Sequence, residues 1–164
     1  MKNFDWTAFS KRIAIKSTLS EIYDAWTVPD RLEKWFLERA VFQQAENTRL
    51  EPSQSLDKGC VYDWYWYLDP SPMHGEIRAA NGKDYLQFTF EGSCMVEVQL
   101  SLLDKYVIVE LRQYNIPQDD YSKQHIRLGC SGGWSFYLNN LKSIYEGGID
   151  LRNKDAQLGT MINN

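Results

Sequence analysis

The chain has 164 residues, 43% apolar content and a formal net charge of −4, a size that suits one domain with a sizeable core. The acidic balance, with no Lys/Arg-rich run, argues against a nucleic-acid partner, and no apolar run approaches the roughly 18 residues of a membrane span. The N-terminus, Met1-Lys2-Asn3-Phe4-Asp5-Trp6, lacks the apolar stretch of a signal peptide, so a cytoplasmic location is expected.

In chain order, alternation around Ile13 and Ile15 predicts a strand over residues 10–17. Thr18-Leu19-Ser20-Glu21 matches a capping box, with Thr18 as N-cap. The helix that follows carries Ile22, Tyr23 and Trp26 and ends before Pro29, because the residue before a proline is pushed out of the helical region. Asp30 is expected to cap a second short helix over residues 31–36. A strand over 39–43 and a polar loop over 45–58 come next. Residues 60–68 read as an aromatic strand with Cys60, Tyr62, Trp64, Trp66 and Leu68 on the core face. Further strands are predicted over 75–80, 85–91, 95–102 and 106–114, joined by tight turns at Asn81-Gly82, Gly92-Ser93 and Asp104-Lys105.

Asp119 or Asp120 is expected to cap a long final helix. At about 100° per residue, Ile126, Cys130, Gly133, Tyr137, Leu141 and Ile144 fall on one stripe, widened by Trp134 and Leu138. Gly147-Gly148 is a natural stop, and the polar tail over 153–164 is expected to fray. Two glycines inside a helix cost about 1 kcal/mol each relative to alanine. The wheel separates Gly132-Gly133: Gly133 lies in the buried stripe and Gly132 near its polar edge. Gly133 is therefore the one expected to leave space open beside the helix.

The expected fold is α+β: a curved antiparallel sheet of about six or seven strands around the long C-terminal helix, with two short helices after the first strand. One domain spans 1–164, with a core over about 10–152. Several stretches carry a family resemblance. Ile13–Ser17 leads into Ile22–Thr27, Pro29 and Leu32-Glu33-Lys34-Trp35-Phe36; Gly75-Glu76-Ile77 follows, and then Gly133-Trp134, Leu138, Asn140-Leu141-Lys142 and Gly148–Arg152. Together they resemble the helix-grip (SRPBCC) superfamily of START lipid-transfer domains, birch-pollen-allergen-like proteins and polyketide cyclases. The likeness is greatest to bacterial proteins related to the activator of heat-shock-protein-90 ATPase. That resemblance implies ligand carriage, chaperone activation or enzymatic activity, and fold alone does not choose among them.

An apolar ligand cavity between sheet and helix is the leading expectation. Tyr62, Trp64, Trp66, Phe88 and Phe90 would face Cys130, Gly133 and Tyr137, with Asn140 and the two tyrosine hydroxyls as orienting groups. The alternative is that the aromatics fill this space completely. Non-catalytic binding is favoured over catalysis because neither His74 nor His125 sits in a nucleophile–base motif, and no serine lies in G-x-S-x-G. Glu76, Arg78 and Glu97 read as cross-strand charge pairs. The widely spaced Cys60, Cys94 and Cys130 give no disulfide framework, and with the histidines no metal-ligand spacing. No cofactor and no membrane insertion are expected. The main rival is a protein-interaction module using Tyr65, Tyr67, Tyr85 and Tyr106 on the convex face, unless the N-terminal Phe4, Trp6 and Phe9 fold over that face.

Overall fold

The computed structural model describes residues 4–44 and 48–164. Residues 1–3, at the head of the segment argued to lack a signal peptide, and 45–47, in the expected polar loop, lie outside the described residues.

A strand β1 (Phe9–Ile15) leads into helices α1 (Leu19–Thr27) and α2 (Pro29–Trp35) and then into β2 (Arg39–Gln43). β3 (Val61–Tyr65), β4 (Met73–Ala80), β5 (Tyr85–Phe90), β6 (Cys94–Leu103) and β7 (Tyr106–Tyr114) follow as a meander. All seven strands belong to one antiparallel sheet in the order β1-β7-β6-β5-β4-β3-β2. β1 and β2 are thus opposite edges, and the two helices span the gap between them. A bulge in β4 between Ile77 and Ala79 shifts the register against β5, and such bulges bend a sheet. A π-helical segment, Ser122–Cys130, runs directly into the long helix α3 (Ser131–Tyr145).

Local chemistry accounts for most boundaries. The Thr18 hydroxyl accepts from the Glu21 amide at 3.3 Å, and the Thr18 amide donates to the Glu21 carboxylate at 3.2 Å. Val28, held extended at φ −108 before Pro29, closes α1 and opens α2. Pro29 occupies the first helical position, where its missing N–H costs nothing. Asp30 therefore sits in the first turn of α2 and does not cap it, contrary to the sequence expectation. The aromatic strand is also shorter than expected. β3 stops at Tyr65 because Trp66–Asp69 forms a turn, with Leu68 at φ 64 and exposed. Gly75 has a steric reason: a Cβ there would lie 2.3 Å from the Tyr62 ring.

The final helix departs from expectation in two ways. Asp119 does cap it, accepting from the Ser122 amide at 2.9 Å, but the first nine residues wind as a π-helix. Its i→i+5 bonds turn more slowly than an α-helix, so a stripe drawn at α-helical spacing drifts. Trp134, Leu138 and Leu141 hold the buried centre, and Gly133 is only half-buried. The end follows the expected rule: Gly147 takes φ 81, and the amides of Gly148 and Gly147 bond back to Ser143 and Ile144 at 2.7 and 3.4 Å. The tail does not fray. Asn153 is buried, its side chain donates to the Asn164 side chain at 3.0 Å, and the Tyr137 hydroxyl donates to the Asn164 carbonyl at 2.6 Å.

On the outer face Glu97 pairs across the β6–β7 ladder with Arg112 at 3.5 Å, as expected, whereas Glu76 and Arg78 pair within β4 at 3.2 Å and not across strands. Tyr67 does not lie there: its ring sits beneath Arg152 and Lys154, at 5.2 and 5.0 Å. Phe4 and Phe9 pack under the Arg127 guanidinium at 4.6 and 5.1 Å, so the N-terminal segment covers the π-helical segment. Among the described residues no helix is long and apolar enough to cross a membrane.

Candidate functional site

Aromatic rings fill the interior between sheet and helix. Tyr62 stacks on Trp64 at 3.9 Å, Trp64 meets Phe88 at 5.2 Å, and Phe36 lies between Trp35 and Trp134 at 5.2 and 5.1 Å. Each such pair adds about 0.5–1.5 kcal/mol beyond area burial, so this packing is a strong reason for the centre to be solid. The space that remains is a cleft of about 620 Å³, open to solvent, where the π-helical segment joins α3. The helix contributes His125, Gly129, Cys130, Gly133, Trp134 and Tyr137 to its wall. The β5–β6 turn contributes Phe90, Glu91 and Gly92, the β3–β4 connection contributes Trp66 and residues 69–74 apart from Pro70, and Phe36 closes the α2 side.

The structure brings together five of the nine residues predicted for a site: Trp66, Phe90, Cys130, Gly133 and Tyr137 line the cleft. A Cβ built on Gly133 meets nothing within 4 Å, so the glycine faces open space. Tyr62, Trp64 and Phe88 lie in the solid core, away from the cleft. The Tyr62 hydroxyl donates to the Thr89 carbonyl at 2.6 Å. Asn140 is a structural latch: its amide donates to the Trp35 carbonyl at 2.7 Å and to Asp150 at 3.1 Å, and accepts from the Leu151 amide at 2.8 Å.

Sequence reasoning missed Phe36, Glu91, His125 and Trp134 as cleft residues. Periodicity places Trp134 at the edge of the helical stripe, yet it is buried and its ring reaches the cleft wall. Glu91 and Gly92 take successive left-handed conformations, φ 52 and φ 76. The Glu-Gly step signals a turn, but nothing in the sequence says that the glutamate takes the strained position. A non-glycine residue there costs on the order of 1 kcal/mol, and such strain clusters at functional sites. Burial raises the Glu91 carboxyl above its ordinary value. Burial, reinforced by the Glu91 charge, pushes the Cys130 thiol up to about 12. Cys130 is therefore a protonated, poorly nucleophilic thiol at neutral pH. His74 pairs with Asp63 at 2.5 Å across the β3–β4 ladder, on the side opposite Tyr62 and Trp64. The His125 ring lies 4.5 Å from that of Tyr121.

The C-terminal half of α3 is built differently. Arg152, whose side chain is 2% exposed, donates to the carbonyls of Leu37, Glu33 and Lys34 at 2.8, 3.0 and 2.8 Å and pairs with Asp150 at 2.7 Å. It thereby satisfies carbonyls at the C-terminal end of α2 that the helix itself leaves unpaired. Burial alone would raise the Asp150 carboxyl, but hydrogen bonds from Arg152 and Lys154 outweigh it and hold the group well below its ordinary value.

A curved antiparallel sheet, two short helices after its first strand and a C-terminal helix packed on its face define the helix-grip class. A family model, described as Activator of Hsp90 ATPase homolog 1-like protein, matches residues 16–146, and the chain belongs to that family. Among solved structures it is similar to the Aha1 dimer from Colwellia psychrerythraea, with 18% identity and a TM-score of 0.67 over 86% of this chain and 97% of that one. It is also similar to SSP2350 from Staphylococcus saprophyticus, with 14% identity and a TM-score of 0.70 over 88% and 96%. CalU16 from Micromonospora echinospora shares 17% identity and a TM-score of 0.64 over 88% and 77%. At these identities the likeness shows the fold alone. No curated protein matches the chain.

Proposed function

We propose that this chain binds a small hydrophobic or amphipathic molecule, without transforming it, in the cleft beside Gly133. The observation that carries the reading is the open space in front of Gly133 at a wall of aromatic rings. A glycine that weakens its own helix by about 1 kcal/mol and faces an apolar-walled cleft is accounted for if the space is used. Aromatic burial supplies affinity, and the polar groups of the rim supply orientation. The protonated Cys130 thiol supports binding over catalysis. In this reading the chain acts as a single domain in the cytoplasm and needs no cofactor. Native mass spectrometry of freshly purified protein tests it: a retained small molecule, released by denaturation and lost in Gly133→Leu, is expected. A bare mass, together with no response to added apolar probes, contradicts the reading.

A second reading, a protein-interaction module of the chaperone-ATPase-activator type, draws on the family description and on one surface feature. Leu102 and Leu103, at the β6–β7 turn, are 63% and 64% exposed. Replacing both with serine is expected to abolish pull-down of a chaperone partner in this reading and to leave small-molecule retention unchanged in the first.

A further inference from the structure

The cleft has a charge character that the binding reading does not use. Its wall carries two carboxylates, Asp69 and Glu91, two histidines, His74 and His125, and no lysine or arginine among the described residues. Glu91 is half-buried, burial raises its carboxyl, and among the described residues no lysine or arginine forms an ion pair with it. Other half-buried acids have polar partners: Glu97 pairs with Arg112 and Asp150 with both Arg152 and Lys154, while Glu33 and Asp84 accept hydrogen bonds from the Ala40 amide and the Asn81 side chain. An unpaired carboxylate in a partly desolvated site is costly, and the left-handed backbone at Glu91 adds strain.

Next to Glu91 stands a closed circuit of four cleft-lining rings. Phe36 meets Trp66 at 5.4 Å, Trp66 meets Phe90 at 6.4 Å, Phe90 meets Trp134 at 5.1 Å, and Trp134 returns to Phe36 at 5.1 Å. An aromatic face attracts a cation through the ring quadrupole, most strongly for tryptophan; Phe36, Phe90 and Trp134 are buried against one another, so the half-buried Trp66 is the ring of this circuit that stands beside the open space. A carboxylate at the edge of such a wall fixes the position of the charge. The same site repels an anion and gives a neutral head group only the apolar contribution.

We infer that the ligand of this cleft is an organic cation, an ammonium group on an apolar body, held by Glu91 beside the half-buried Trp66. This inference rests on the binding reading above and adds the ligand's charge to it. The aromatic wall takes the apolar body, and Glu91, which pairs with no lysine or arginine among the described residues, supplies the counter-charge.

Three probes with one apolar body separate the two ideas: 1-naphthalenemethylamine, 1-naphthalenemethanol and 1-naphthoate, titrated by calorimetry against the full chain. The amine is expected to bind about tenfold more tightly than the alcohol, and the carboxylate more weakly than either, given the strength of charge-assisted bonds in partly buried sites. In Glu91→Gln the ratio of amine to alcohol affinity is expected to fall to about one, as a neutral amide leaves no counter-charge. Glu91→Asn, whose side chain tolerates the left-handed backbone, repeats that test in a chain that keeps its turn. An alcohol that binds as tightly as the amine in the wild type overturns the inference and leaves the binding reading standing. So does a tenfold ratio that survives in both variants. No binding of any probe overturns the binding reading itself.

Discussion

The two halves of α3 handle polar groups in opposite ways. Around its C-terminal half, Asn140, Asp150 and Arg152 form a network in which every donor and acceptor is directed at a specific partner, much of it backbone of α2 and the residues after it. Around its N-terminal half, Glu91 pairs with no lysine or arginine among the described residues, Gly133 faces open space, and the segment leading into the helix departs from α geometry. The first half converts polarity into rigidity. The second leaves polarity, space and strain unspent, which is the condition for a ligand to contribute. The difference teaches that Asp150 and Arg152 act in this chain as a structural clasp, and that the open space lies at the other end of the helix.

Breaking the clasp is expected to have the largest effect. Arg152→Ala strands the buried carbonyls of Leu37, Glu33 and Lys34 and the Asp150 carboxylate. Losing one partner of such a buried pair costs about 3–5 kcal/mol, readable as a lowered midpoint in urea unfolding. Next in size is Gly75→Ala. Its Cβ would lie 2.3 Å from the Tyr62 ring, and overpacking of this kind costs about 1–3 kcal/mol, again measured by urea unfolding.

Stability against pH sharpens the contrast, because the two acids act with opposite sign. Asp150 is held below its ordinary 3.8 in the folded chain. Its contribution is therefore present above pH 3.8 and is lost as pH falls through the depressed value. Glu91 is raised above its ordinary 4.5, so its favourable contribution is present below 4.5 and is lost as pH rises through the raised value. Unfolding free energy measured across the acid range should keep a flatter acid limb in Asp150→Asn. It should lose the Glu91 decline in Glu91→Gln. The smallest expected change is at Gly132, which is exposed and meets nothing. Gly132→Ala should raise stability by up to about 1 kcal/mol through helix propensity, with ligand retention unaltered.

Much of the fold was legible because it rests on local chemistry. The Thr18–Glu21 capping box, the alternation of β5 through β7 and the Gly147 stop each follow from a few adjacent residues. What stayed hidden depends on distant partners. The tail reads as polar and loose, yet Arg152 and Asn153 are ordered by backbone carbonyls and side chains that composition cannot reveal. The π-helical segment has no periodic signature of its own, and within α3 the buried stripe centres on Trp134, Leu138 and Leu141 while Gly133 is half-buried. The candidate site was half legible for the same reason. Trp66, Phe90, Cys130, Gly133 and Tyr137 share the faces that periodicity assigns them, whereas Glu91 enters the cleft through a left-handed turn residue. The alternation that placed Tyr62, Trp64 and Phe88 on the inner face was correct, but it says nothing of where along that face the rings stop filling the space.

The central claim is that the space in front of Gly133 is kept for a ligand and not for the fold. Affinity for 1-naphthalenemethanol and thermal midpoint, both measured on Gly133→Leu beside the wild type, test it most directly. The account predicts at least about a tenfold loss of affinity, as the leucine occupies the cleft, with a midpoint equal to or above the wild type because a helix glycine has gone. Undiminished affinity, or a collapse of the midpoint, would contradict it.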